Sequence, residues 1–265
     1  MIINGKQLAE GLIIGLKSEI KKLDLRPVVA VLALDSDPVS LTYVNFKKKL
    51  AENLGIKVDV YRYDDTVKQG ELVNLLKTLG KDETVNGIII QLPLPVQFDL
   101  DELIDLIPRG KDIDSLGPRA KMLAPVAGAI AEILKQFAVD YKKSEVVVVG
   151  NGRLVGRPVF NWLVAEGVKT HLITKKDWPE EEYLKSADII ISGSGSPHLI
   201  KPDMIKEGVV LIDAGTSESS GVLKGDIDPG CQLKAKLFTP VPNGVGPIAL
   251  VKLFSNLVEL IKSQK

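Results

Sequence analysis

Glu145-Val146-Val147-Val148-Val149-Gly150-Asn151-Gly152-Arg153-Leu154-Val155-Gly156 is an apolar run that ends in a glycine turn, and residues 158–166 behind it read as a helix closed by Gly167. Strand, glycine turn and helix in that order let a backbone approach a pyrophosphate closely. The glycines permit the tight turn, and the helix N-terminus meets the negative charge. Gly150, Asn151, Gly152, Arg153, Val155 and Gly156 are therefore candidate cofactor residues. The spacing is G-x-G-x-x-x-G, one residue longer than the common dinucleotide fingerprint, so a plain tight strand–helix turn competes with this reading.

Beyond the turn, residues 170–173, 188–192 and 209–213 read as further strands, with a short helix over 180–186 and half of a small hairpin over 222–226. Ser192-Gly193-Ser194-Gly195 and Asp213-Ala214-Gly215-Thr216 fall at carboxyl ends of parallel strands, where open α/β sheets bind ligands. Gly193, Gly195 and Thr216 join the candidates on that ground. Simple loop flexibility explains one such site but less easily three. NAD sites usually carry an acid at the end of the strand after the glycine turn. Here that place holds Thr174-Lys175-Lys176, with Asp177 only afterwards. Lysines there suit a 2′-phosphate, so NADP is expected, with NAD as the alternative; solvated surface lysines are the plain reading.

The first half repeats the alternation. Residues 28–34, 57–63 and 87–92 read as strands and 39–54, 69–79 and 99–107 as helices, with Asp37-Pro38 as the N-cap and first residue of the first of these. The order is βαβαβα, so the fold class is α/β with a parallel sheet and helices on both faces. Residues 108–114 are polar and turn-rich, residues 126–137 form a connecting helix, and the domain boundary falls between them. A last helix over 248–263 comes after a proline- and glycine-rich turn.

Composition excludes several function classes. In 265 residues, 34 lysines and arginines balance 34 aspartates and glutamates, which argues against a nucleic-acid protein. The single cysteine, Cys231, cannot form an internal disulfide, and a reducing, cytoplasmic setting is expected. Nothing resembles a signal peptide, the first residues lead into an ordinary amphipathic stretch, and no apolar run reaches membrane-spanning length. His171, His198 and Cys231 are too far apart for a zinc cluster, so no metal is expected and chemistry falls to side chains or an organic cofactor.

Tyr43 and Lys47 are spaced i, i+4 and share a helix face, while Lys48 and Lys49 point to solvent. From periodicity alone the pair is an ordinary surface stripe. Gln91 is polar at the mouth of an apolar run, and Pro93 and Pro95 stiffen the loop behind it. Asp112 and Asp114 lie in the segment between the halves, where an Asx-turn is the bland reading.

Taken together, Tyr43-Val44-Asn45-Phe46-Lys47, Gln91-Leu92-Pro93-Leu94-Pro95, Lys111-Asp112-Ile113-Asp114, Val155-Gly156-Arg157-Pro158 and Thr239-Pro240-Val241-Pro242-Asn243-Gly244-Val245-Gly246-Pro247 resemble the bifunctional methylenetetrahydrofolate dehydrogenase/cyclohydrolase family, in order and over nearly the whole chain. The resemblance implies hydride transfer from 5,10-methylenetetrahydrofolate to NAD(P)+, then hydrolysis of the methenyl cation to 10-formyltetrahydrofolate. It implies that Lys47 is the catalytic lysine, that Gln91 hydrogen-bonds it, that Tyr43 orients the pterin and that Asp114 binds the amino-pyrimidine edge. Ser40, Leu92 and Pro93 would line the folate site, with Pro242, Gly244 and Gly246 on the folate and nicotinamide side. It further implies a folate domain of residues 1–118 and 247–265, a Rossmann-like NAD(P) domain of residues 119–246, a last helix packed back on the first domain, and a homodimer joined through the cofactor domains.

Several positions depart from the family pattern. Asn151 and Gly152 replace an arginine and a serine, which removes an arginine often used on the 2′-phosphate, although Lys175 can compensate. Ser115 and Asn243 replace glycines, Pro125-Val126-Ala127-Gly128 replaces P-C-T-P-x-G, and Ile248-Ala249 replaces Met-Thr. Rival readings are a dehydrogenase on another pterin carrier, which Asp114 would serve equally, a non-catalytic nucleotide sensor, and a shikimate or amino-acid dehydrogenase. A sensor has no use for the Lys47–Gln91 pair. The last group lacks the Q-L-P-L-P and T-P-V-P combination.

Overall fold

A computed structural model describes every residue except Ser36, Asp37, Asp65, Pro179, Ser220, Gly221 and Lys265; the expected cap at Asp37 therefore lies outside the described residues. The chain forms two compact units, one of Met1–Leu12 with Leu123–Lys252 and one of Ile13–Met122 with Leu253–Lys265. Among the described residues, no helix is long and apolar enough to cross a membrane.

Helix α1 (Gly5–Lys21) opens the chain, with the Asn4 side chain accepting from the Gln7 amide at 3.0 Å. It is succeeded by β1 (Val28–Leu34), α2 (Pro38–Leu54), β2 (Lys57–Tyr63), α3 (Gln69–Lys81), β3 (Gly87–Ile90) and α4 (Leu100–Asp105). The strands form one parallel sheet in the order β2-β1-β3. Central β1 is buried nearly throughout, which is why its sequence is a continuous apolar run rather than an alternation. Leu72, Leu76 and Leu79 bury one face of α3 in the same core as Leu32, Ile88, Ile90 and Leu103. Strand β3 stops at Ile90, short of the expected Leu92, because Pro93 brings no N–H to extend the ladder.

The segment carrying Asp114 is fixed beside β3. The Ile88 amide donates to Lys111 O at 2.8 Å, and Ile88 and Asp112 form a parallel bridge. Lys111 Nζ donates to the carbonyls of Leu79, Gly80 and Asp82 at 3.0, 3.0 and 2.7 Å, a cation placed on the C-terminal end of α3. The last turns of α8 (Val245–Lys262) pack here, as expected of a helix returning to the first-half sheet. Phe254 and Leu257 are buried, Asn256 Nδ2 donates to Ile113 O at 3.0 Å, and Lys262 pairs with Glu19 at 2.8 Å.

In the other unit, α5 (Pro125–Gln136) precedes β4 (Val146–Val149), α6 (Gly156–Ala165), β5 (Thr170–Ile173), α7 (Glu181–Ser186), β6 (Ile189–Ser192) and β7 (Val210–Asp213). A small antiparallel hairpin, β8 (Ser217–Ser219) with β9 (Val222–Lys224), and the two-residue strand β10 (Leu237–Phe238) complete it. The five-stranded sheet is parallel, in the order β10-β7-β6-β4-β5. Its register sets Ile173, Val149, Ser192 and Asp213 in one row, so the loops after β5, β4, β6 and β7 leave from a single edge.

Candidate active site

The first cluster lies in the unit built on β1 to β3. Lys47 projects from the middle of α2, and its Nζ donates to Gln91 Oε1 at 3.0 Å. Gln91 is 6% exposed, so it is not a solvent-facing loop glutamine. Its own amide nitrogen donates to Leu92 O at 2.8 Å, which fixes the carbonyl end toward Lys47. Ser40, one turn before Tyr43 on α2 and also buried, donates to the same Leu92 carbonyl at 3.3 Å. Asp114 Oδ2 stands 3.9 Å from Lys47 Nζ, with both side chains largely buried. Burial raises the Asp114 carboxyl above the usual range; the Lys47 charge pulls it down and Asp112 pushes it further up. Tyr43 meets Phe46 edge-on at 6.3 Å between ring centroids, and Phe46 is itself 48% exposed.

Asp112 and Asp114, equal in the sequence, play different parts. Asp112 is buried and accepts from the amides of Leu116 at 3.2 Å and Gly117 at 2.8 Å, which is a local turn. Ser115, directly after Asp114, takes φ +56°, and its Oγ is buried with no hydrogen-bond partner among the described residues.

The second cluster is the carboxyl edge of the five-stranded sheet. Strand order reverses between β4 and β6, and the glycine turn and the 193–195 loop both start there, at the switch point where such sheets bind ligands. The turn has room only for glycine at its ends. Gly150 sits at φ +97°, and a Cβ on Gly156 would lie 1.8 Å from Gly150 O. The chain there runs directly into the N-terminus of α6, so the residues present fit a dinucleotide pyrophosphate. At the end of β5, Asp177 accepts from Thr174 Oγ1 at 2.6 Å and from the Thr174 amide at 3.0 Å, which holds its carboxyl below the usual range. Lys175 and Lys176 are exposed. Thr216 is exposed beyond the end of β7. Pro242, Gly244 and Gly246 belong to this same unit; Gly244 is buried against Pro240 O, and Asn243 takes φ +73°.

Three buried polar groups at this edge are not among the site residues expected from the sequence. Asp213 accepts from the amides of Gly215 and Asp226 at 3.1 Å each and of Ile227 at 2.9 Å. Burial, with Asp226 adding to it, pushes its carboxyl up to about 7 against the pull of those amides. Thr239 Oγ1 accepts from the Asp213 amide at 2.6 Å. Asp226 accepts from the loop after β6. An acid closing a buried strand is the available signal for Asp213; nothing in the Gly225-Asp226-Ile227-Asp228 run singles out Asp226.

Comparison with known proteins places both clusters in one lineage. Residues 3–114 match the family model of the tetrahydrofolate dehydrogenase/cyclohydrolase catalytic domain, and residues 124–265 that of its NAD(P)-binding domain. The bifunctional protein FolD of Aquifex aeolicus is 36% identical over 280 aligned positions, covering 99% of this chain and 95% of that protein. The crystal structure of the FolD dehydrogenase/cyclohydrolase from Campylobacter jejuni superposes with a TM-score of 0.95 at 31% identity, covering 100% of this chain and 99% of that one. The Trypanosoma brucei enzyme complexed with NADP cofactor and inhibitor gives 0.93 at 27% identity, covering 100% and 98%.

Proposed function

The chain belongs to the tetrahydrofolate dehydrogenase/cyclohydrolase family, and from that premise we propose how its side chains divide the two reactions. It is an enzyme of one-carbon metabolism with methylenetetrahydrofolate dehydrogenase and methenyltetrahydrofolate cyclohydrolase activities.

Lys47 is the proton-moving group of the hydrolysis. The observation that carries this is the 3.0 Å hydrogen bond to Gln91, itself locked by Leu92 O. The Gln91 amide orients the amine, which exchanges a proton with water as water adds to the methenyl carbon. The ring C–N bond then opens and leaves the formyl group on nitrogen. Asp114 takes the amino-pyrimidine edge of the pterin, where one carboxylate accepts two N–H donors. Such donors favour its charged form and offset the burial that opposes it. Tyr43 orients the pterin ring, and Ser40, Leu92 and Pro93 line its place.

Gly150, Asn151, Gly152, Arg153, Val155 and Gly156 hold the dinucleotide, with Gly193, Gly195 and Thr216 along the same edge and Pro242, Gly244 and Gly246 bordering the nicotinamide. When bound, the nicotinamide accepts the hydride of the oxidation. The favoured cofactor is NADP, held at its 2′-phosphate by Lys175. Asp177 supports this, because its carboxylate is engaged by Thr174 rather than presented to a ribose hydroxyl. The enzyme works in the cytoplasm as a homodimer joined through its dinucleotide-binding units, where β5 is a half-exposed edge strand.

Steady-state oxidation of methylenetetrahydrofolate with each cofactor in turn tests this reading. The expected result is a higher kcat/KM with NADP+. Lys175→Ala should raise KM for NADP+ about fivefold, the equivalent of ~1 kcal/mol for one phosphate contact, and leave KM for NAD+ unchanged. Equal effects on both would make Lys175 a surface charge.

A further inference from the structure

Asp226 is fully buried, and the end of β6 with the loop after it supplies its hydrogen-bond donors. Its Oδ2 accepts from Ser192 Oγ at 2.8 Å, from the Ser194 amide at 2.6 Å and from the Gly195 amide at 3.3 Å. Its Oδ1 accepts from the Ser196 amide at 2.8 Å. Three successive backbone N–H groups around one anion form a nest, a device that elsewhere binds phosphate. Here the anion is the protein's own side chain.

The loop that makes this nest is also the wall behind the glycine turn. A Cβ on Gly193 would meet Val155 Cγ1 at 2.2 Å, and one on Gly150 would meet Gly193 O at 2.7 Å, so the two segments pack directly on each other with no room for a side chain between them. Asp226 is itself located by Asp213, which accepts from the Asp226 and Ile227 amides at 3.1 and 2.9 Å. The two acids interlock through glycines: a Cβ on Gly215 would fall 2.1 Å from the Asp226 carboxylate, and one on Gly225 2.1 Å from that of Asp213. A buried carboxylate stripped of its donors is strongly destabilising. Any loop shape that turns the amides of residues 194–196 away from Asp226 carries that cost, so the loop is ordered before a ligand arrives and binding need not order it.

We infer that Asp226 is a positioning residue for the dinucleotide: by filling the amide nest of residues 194–196 it sets the loop that backs the Gly150–Gly156 turn, and so sets cofactor affinity without touching the cofactor. This rests on the placement of the dinucleotide at that strand edge.

The test is the Kd for NADP+, measured by titration calorimetry on the full chain without folate, together with hydrolysis of methenyltetrahydrofolate by the same preparations. Asp226→Asn keeps the shape but turns an NH2 toward amide donors, and is expected to weaken NADP+ binding by about tenfold or more while hydrolysis is unchanged. Ser192→Ala removes one donor and leaves a buried residue of fitting size; it is expected to weaken binding about threefold, and it carries the test if Asp226→Asn does not fold. Parent-like affinity in the folded variants overturns the inference. Parallel loss of hydrolysis overturns it too, because that marks general loosening. Gly152→Asp separates the footing from the inference: a Cβ there meets only Gly193 O, at 3.8 Å, and the added charge should abolish NADP+ binding. If Gly152→Asp binds normally, the dinucleotide placement itself fails. If it does not bind while Asp226→Asn does, the inference alone fails.

Discussion

Asp213 closes a parallel strand, Asp226 follows the antiparallel β8–β9 hairpin and Asp114 follows the bridge to β3, and burial raises both Asp114 and Asp213 above the usual carboxyl range. They differ in what surrounds them. Asp226 receives four donors and Asp213 three, all from the chain itself. Asp114 faces Lys47 at 3.9 Å, beyond hydrogen-bond length, and its segment is anchored by its neighbours Lys111 and Asp112 instead. A carboxylate saturated by backbone amides is a building element. One whose neighbours do the anchoring does not need its own oxygens for that.

Changing pH probes the Asp213 side of this comparison most strongly. The folded-state carboxyl of Asp213 is raised to about 7, whereas the unfolded chain titrates in the ordinary range near 4. The native state therefore holds the extra proton between those values, and the stability it adds, fully present below the unfolded value, is lost as pH rises toward 7. Between pH 5 and 7 the loss should be about 2 kcal/mol, read from urea unfolding, and Asp213→Asn should flatten that slope. A variant with the parent's slope would mean the amides, not burial, set this group.

A smaller effect compares the two glycine replacements. Ser115 and Asn243 both adopt left-handed backbone, at φ +56° and +73°. Asparagine tolerates that region better than serine, and the Ser115 hydroxyl is also buried and unpaired among the described residues. Ser115→Gly should stabilise the protein by about 1 kcal/mol in urea unfolding, after the entropy of the added glycine is subtracted. Asn243→Gly should be within about 0.5 kcal/mol of neutral. Equal shifts would remove the special place of Ser115 beside Asp114.

Much of the fold can be read from particular runs. Strands β1, β2 and β5 have the bounds their patterns predict, because each is bracketed by turn residues or polar breaks. Helix α1 is visible only as an amphipathic stretch, since Gly5, Gly11 and Gly15 dilute its helix signal. Strands β8 and β10, three and two residues long, are too short to show a period. The glycine turn is legible because close backbone approach demands glycine. The Lys47–Gln91 pair is not legible from spacing, because it joins residues 44 apart in sequence across α2 and the end of β3. Asp226 is invisible for a deeper reason: its partners are mostly backbone amides, which leave no trace in residue type.

Lys47→Met, assayed for both half-reactions in one folded preparation, tests the division of labour most directly. The expected result is loss of methenyltetrahydrofolate hydrolysis by about a hundredfold or more, the range of a positioned acid–base group, with hydride transfer to NADP+ retained at least in part. Full hydrolysis in that variant would contradict the role of Lys47, and so would equal loss of both reactions.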